Sequence, residues 1–159
     1  LDVTVPPAWA AEWIECVLSD LGTSALLVGL TDDSTGETIT ELLMDGTLPV
    51  ASVQQGSYDL LAAAAPYKWW KTARLLALSA RDDIAGHLTL AGLDPWRLTV
   101  AQWTAAVYAL CTKGADAKAQ FKFDAPLDAP PPGVVDDAWM SEDDFAAMVT
   151  QARNMPGQK

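Results

Sequence analysis

Hydrophobic residues along this chain recur at helical spacing, most clearly between residues 65 and 110. No Gly or Pro interrupts residues 67–80, and Pro66 suits a first helical turn, where a missing N–H costs nothing. At about 100° per residue, Trp69, Ala73, Leu76 and Ala80 fall on one narrow stripe, which predicts the core face of a helix over 66–80. Lys68, Lys71, Arg74 and Arg81 cover the opposite side, with Leu75 and Leu78 among them. A second helix is predicted from Thr99, whose hydroxyl can cap it after the turn-forming Asp94 and Pro95. Its apolar face is Val100, Trp103, Ala106, Val107 and Leu110. Two such faces joined by a short acidic break suit an antiparallel helix pair.

Upstream, Trp9, Trp13, Cys16 and Val17, widened by Ile14 and Leu18, line one face of a helix predicted over 7–21 and ended by Gly22. The apolar run 25–30 fits a helical turn or a buried strand, with helix preferred. Asp32-Asp33-Ser34-Thr35-Gly36-Glu37 has the look of a calcium loop. With Gly36 in the glycine position, however, the first and last ligand positions fall on Thr31 and Leu42, so the run reads as an acidic turn capping a helix over 36–44. Residues 48–53 can pair as a short strand after an Asp45-Gly46 turn, and Gln54-Gln55-Gly56-Ser57 is the candidate hinge.

Downstream, Gly114 closes the second central helix and 115–124 permits a further short one carrying Lys118, Phe121, Lys122 and Phe123. Ala125-Pro126-Leu127-Asp128-Ala129-Pro130-Pro131-Pro132-Gly133 is expected to be extended, because its prolines fix φ and remove donors. Ser141 and Asp144, at capping-box spacing, then open a short acidic helix with Phe145, Met148 and Val149 on one face. The expected fold is mainly α: a small helical domain on an antiparallel helix pair, with room for a minor β-hairpin, plus an extended proline-rich C-terminal arm. It divides into an acidic N-terminal helical part (1–55), a central helical core (56–124) and the arm with its acidic amphipathic helix (125–159).

Composition adds a charge pattern. Half of the 159 residues are hydrophobic, enough for one domain with a usable core. No apolar run reaches the roughly 18–20 residues of a membrane span, so a soluble, non-secreted protein is expected. Of the net charge of −11, residues 1–67 carry −10 with no Lys or Arg at all, 68–122 carry +4, and 123–159 carry −5. Such blocks either neutralise one another within the chain or orient it against copies of itself or other partners. The interrupted basic middle between acidic flanks argues against nucleic acid as a partner. Cys16 and Cys111, far apart in sequence and outside any Cys-x-x-Cys pair, read as buried free thiols.

Catalytic and cofactor patterns are missing. His87 is the single histidine and has no second ligand of its kind nearby, so it reads as a packed or surface residue rather than a metal ligand. Gly-x-Ser-x-Gly, Walker A and dinucleotide fingerprints are absent. A carboxylate-pair hydrolase would need two acids held in an apolar cleft, which spacing does not reveal. No enzyme activity, cofactor or metal is expected.

A resemblance supplies a functional class. Trp69-Trp70, Arg74-Leu75, Ile84, Leu90-Ala91-Gly92-Leu93-Asp94-Pro95, Leu98-Thr99, Trp103, Tyr108-Ala109-Leu110, Phe123-Asp124 and Pro130-Pro131-Pro132-Gly133 together resemble small structural proteins from the tail module of siphoviruses that infect actinobacteria. The likeness covers roughly half the chain and is a pattern of aromatics and turn residues, with no active-site motif to transfer. It implies a non-enzymatic virion component, a minor tail protein that binds other phage structural proteins in a homo- or hetero-oligomeric ring. Its location would be the virion tail, and the host cytoplasm during assembly. Two alternatives stand beside it: a tail assembly chaperone that binds a helical client and is absent from the finished particle, and a head-to-tail connector component. Trp70, Leu75, Leu78, Trp96, Trp139, Phe145 and Met148 are the candidate interface residues, since each falls off the predicted core stripes or on an arm.

Overall fold

In the computed structural model, which describes residues 9–19, 22 and 26–136, the chain is mainly helical. Among the described residues there are eight helices: α1 (Ala10–Leu18), α2 (Leu26–Gly29), α3 (Asp33–Met44), α4 (Val50–Ala64), α5 (Trp69–Ser79), α6 (Asp82–Leu90), α7 (Val100–Thr112) and α8 (Ala117–Asp128). The β structure among them is a single isolated antiparallel bridge between Trp9 and Thr99, not a hairpin.

The uninterrupted run after Pro66 becomes α5, and α5 is the axis of the molecule. It packs against α1, α4, α6, α7 and α8. A helix covered from so many directions cannot keep one narrow core stripe. Ala73 and Leu76 are buried as their spacing predicts, but so are Trp70, Thr72, Leu75 and Ser79. Trp69 is half-buried, stacked on Tyr58 of α4 with ring centroids 3.8 Å apart, and Ala80 is exposed. On α7 the predicted face holds: Val100, Trp103 and Val107 are buried, with Thr104 beside them satisfying its hydroxyl on the Val100 carbonyl at 2.8 Å.

Thr99 caps α7 through a full capping box, its hydroxyl accepting from the Gln102 amide while the Gln102 side chain accepts from the Thr99 amide. Thr99→Ala is therefore expected to cost about 1 kcal/mol in chemical denaturation, and Thr99→Ser much less. Equal losses in the two variants would mean that the hydroxyl contributes nothing.

Three sequence expectations need correction. The break between the two central helices contains α6, which spacing did not reveal because only Leu88 of that helix is buried and Gly86 lies in its middle. Residues 48–53 do not form a strand; Val50 opens α4, which runs unbroken through the expected hinge at 54–57 and across the expected boundary at 55. Packing explains this. A Cβ on Gly56 would meet Leu27 Cδ2 at 3.1 Å, so the glycine lets α2 approach. The buried Ser57 hydroxyl accepts from the Leu27 amide at 3.0 Å and donates to the Val53 carbonyl at 3.0 Å. The glycine and serine that mark a hinge in sequence are here a helix–helix contact.

The third correction concerns the arm. The expected boundary at 125 lies inside α8, which incorporates Pro126 and ends at Asp128. The proline-rich connector follows it, turns where the Val134 amide donates to the Pro131 carbonyl at 3.0 Å, with Gly133 at φ 84°, and returns to α5 where Asp136 meets Lys68 at 3.2 Å. The predicted helix at 141–149 lies outside the described residues.

Candidate partner interface

The N-terminal end of α1 and the loop before α7 lie side by side as short antiparallel segments. The Ala10 amide donates to the Leu98 carbonyl at 2.9 Å and the Ala11 amide to the Pro95 carbonyl at 3.1 Å. Along this seam stand two tryptophans, Trp9 and Trp96, 44% and 53% exposed. Trp9 was expected on the core face of the first helix. It precedes that helix instead, and Ala10, Ala11 and Trp13 take the buried positions. The Asp94 carboxylate accepts from the Trp96 amide at 2.9 Å and fixes the loop that presents the indole. Half-exposed indoles held on hydrogen-bonded backbone offer large contact area with little further ordering, as interface anchors do.

The basic side of α5 faces inward to the C-terminal end of α8. Pro126 removes an amide from the last turn of α8, and the terminal carbonyls of any helix lack intrahelical donors. α5 supplies them. One Arg74 guanidinium nitrogen donates to the carbonyls of Pro126 at 2.8 Å, Leu127 at 3.1 Å and Ala129, and Trp70 Nε1 donates to the Asp128 carbonyl at 3.1 Å. Lys71 pairs with the Asp128 carboxylate at 2.7 Å and lies 3.9 Å from that of Asp124, its ammonium over the rings of Tyr67 and Tyr108. Cations at the negative end of a helix are favourable as well as hydrogen-bonded. With the Lys68 pairing to Asp136, the described acids of the C-terminal block, Asp124, Asp128 and Asp136, all lie against lysines of the basic middle.

The N-terminal block finds no such match. None of its described acids forms a salt bridge with a described Lys or Arg. Asp33, Glu37 and Glu41 follow one another at i, i+4 along α3, an arrangement that costs an isolated helix about 0.2–0.5 kcal/mol per pair. They edge an open groove of about 580 Å³ between α2 and α3. On α1, Glu12 Oε2 is buried without a hydrogen-bond partner. Asp32 is the cap that the acidic turn predicted: its carboxylate accepts from the Thr35 hydroxyl at 2.8 Å, the Thr35 amide at 3.0 Å and the Ser34 hydroxyl at 2.9 Å. Those bonds, the Thr35 hydroxyl first, hold the Asp32 carboxyl below its ordinary pKa. Since the folded pKa is depressed, the cap's contribution is complete above the ordinary carboxylate range and is lost as pH falls through the lowered value. A carbon-detected NMR titration should place the Asp32 midpoint below that of an unperturbed Asp, with the Thr35 amide shift following it. A midpoint in the ordinary range would remove the cap from the account.

Cys16 and Cys111 are free thiols, half-buried rather than fully buried, and desolvation pushes both up from the ordinary thiol range. Glu15 and Glu12 add to the effect at Cys16, whereas at Cys111 Arg81 opposes it. His87 is exposed, its Nδ1 donating to the Asp83 carbonyl of its own helix at 2.7 Å. Among the described residues no three His, Cys, Asp or Glu side chains group to hold a metal ion, and no helix is long and apolar enough to cross a membrane.

The sequence-derived interface residues separate clearly. Trp70 and Leu75 are 5% and 0% exposed, so neither offers a surface to a partner; each is covered because α5 is enclosed on more than one side. Leu78 is half-buried and lines an open, mostly apolar groove of about 500 Å³, where α5 supplies Arg74, Ala77, Leu78 and Arg81 and α8 supplies Phe123, Pro126 and Leu127. Trp96 is exposed as expected. Trp139, Phe145 and Met148 lie outside the described residues. Sequence reasoning missed Trp9, because a tryptophan in register with an amphipathic helix reads as core until the position of the cap is known. Comparisons with protein-family models, with curated proteins and with solved structures find no match to this chain.

Proposed function

We propose that this chain is a non-enzymatic structural component of a tailed-phage virion, a minor tail protein that acts by binding neighbouring tail proteins in a symmetric assembly. The observation that carries the binding role is the seam at which Trp9 and Trp96 stand half-exposed on backbone fixed by hydrogen bonds. The unpaired acidic ladder of α3 supports the same reading, since an oppositely charged neighbour would relieve its repulsion and set orientation more than strength. The tail-module assignment rests on the aromatic and turn pattern from Trp69 to Gly133, and the reading places the chain in the virion tail after assembly in the host cytoplasm.

Mass spectrometry of purified particles of the phage that encodes the chain is the direct test. Retention at a fixed ratio to other tail proteins is the expected result. Absence from finished particles, with abundance in infected cells, would instead favour a tail assembly chaperone, and recovery with isolated heads a connector component. At the residue level, Trp9→Ser with Trp96→Ser is expected to cost about 2–3 kcal/mol of stability per site, because about half of each ring is already buried, so binding is compared on variants whose folding has been checked by circular dichroism. The same pair should weaken neighbour binding at least tenfold, about 1.4 kcal/mol or more. Unchanged incorporation into particles would remove the seam from the interface.

A further inference from the structure

We propose that α8 of one copy of this chain docks on the α2–α3 groove of a second copy, in a head-to-tail contact. One face of α8 carries Lys118, Phe121 and Lys122 at i, i+3 and i+4, so two cations flank an aromatic ring. All three are exposed, Phe121 by 56%, and neither lysine forms a salt bridge with a described acid. The open groove of about 580 Å³ has the opposite character. Asp33, Glu37 and Glu41 edge it, and Val28, Gly29 and Gly36 line it with little side-chain bulk. Docked there, Phe121 would enter the groove while Lys118 and Lys122 face its acidic edge. Register agrees as well: the two lysines are separated by a rise of about 6 Å along α8, and so are successive acids along α3.

The fold decides that the occupant comes from another copy. Within one chain α3 packs chiefly on α2, and α8 packs on α5 and α7, so the acidic stripe and the lysine stripe do not meet. Each is a run of like charge at i, i+4 spacing, which is unfavourable in either helix alone. A second copy relieves both at once and supplies the complementary face at equal stoichiometry. Because the two faces are different surfaces, the contact is heterologous: each copy offers α8 to one neighbour and α3 to the next, as in a ring or a filament. Exposed ion pairs are worth little singly, so association of two isolated copies is weak and salt-sensitive. This contact rests on the reading of the α3 ladder as a partner-facing surface and names the partner. The Trp9–Trp96 seam and the tail assignment stand or fall separately, by the particle tests.

Sedimentation velocity of the full chain over a range of concentrations at low salt tests it. The expected result is association that rises with concentration and weakens by about tenfold or more at high salt. Lys118→Glu with Lys122→Glu should weaken it by about tenfold or more, and so should Glu37→Lys with Glu41→Lys, each with an unchanged circular dichroism spectrum because all four residues are exposed. Combining the four substitutions in one chain exchanges the signs of the two faces, keeps the net charge at −11 and should restore association. Mixing the two double variants should restore it too, since the reversed α8 of one meets the reversed α3 of the other while both chains remain acidic overall. A chain that stays monomeric at every concentration overturns the proposal, as does association indifferent to either double change. Loss in only one double variant, or no recovery in the mixture, also overturns it and assigns the affected face to a partner other than this chain.

Discussion

Leu75→Ala is expected to lower the stability of the chain by about 2–5 kcal/mol, the usual range for truncating a buried leucine. Leu75 has no exposed surface and lies in the continuous core to which α1, α2, α4, α5, α6, α7 and α8 contribute, so neighbours on several elements must move to fill the space. For a chain of this length, each kcal/mol corresponds to roughly 2–4 °C in Tm, which puts the expected drop at about 4–20 °C. Leu78→Ala, three residues on and half-buried, should cost under about 1.5 kcal/mol. The comparison is informative because the hydrophobic stripe of the sequence places Leu75 and Leu78 together on the polar side. If that placement were right, both substitutions would fall within about 0.5 kcal/mol. Thermal and urea unfolding of the two variants separates the alternatives.

Arg74→Ala should cost roughly 2–3 kcal/mol, because it leaves the carbonyls at the end of α8 without their donor and removes a cation from the negative end of that helix. Arg74→Lys is not expected to restore the loss. A lysine ammonium on a flexible stem does not reproduce a planar guanidinium directed at several carbonyls. The local signature is specific: amide exchange at the last turn of α8 should rise in Arg74→Ala while the Thr99-capped start of α7 stays protected. Uniform acceleration across both helices would mean that Arg74 supports the whole fold rather than the α8 terminus.

Legibility from sequence tracked how local each signal was. The cap at Thr99, the acidic turn at Asp32 and the helical preference of 25–30 were all readable, because an N-cap is set by residues within a turn of one another. α6 was not, since a helix that buries little of its surface has almost no periodicity to detect. The glycine and serine at 56 and 57 misled for the opposite reason. In sequence they look like flexibility, and their real role is to admit Leu27 from an element thirty residues away. For the candidate interface, Trp96 was recoverable because a turn announces an exposed position. Trp70 and Leu75 were assigned outward by a periodicity argument that assumes one buried face per helix.

Taken alone, the order of residues determined that this chain is helical, where several of its helices begin, and that its charge falls into blocks of alternating sign. Those properties depend on neighbours a few positions apart. Only the tertiary structure decided that α5 is enclosed, that Lys71 and Arg74 serve the end of α8, and that Pro126 can sit within a helix. The contacts between α5 and α8 join donors and acceptors more than fifty residues apart, and such pairings exist only once the chain has closed on itself.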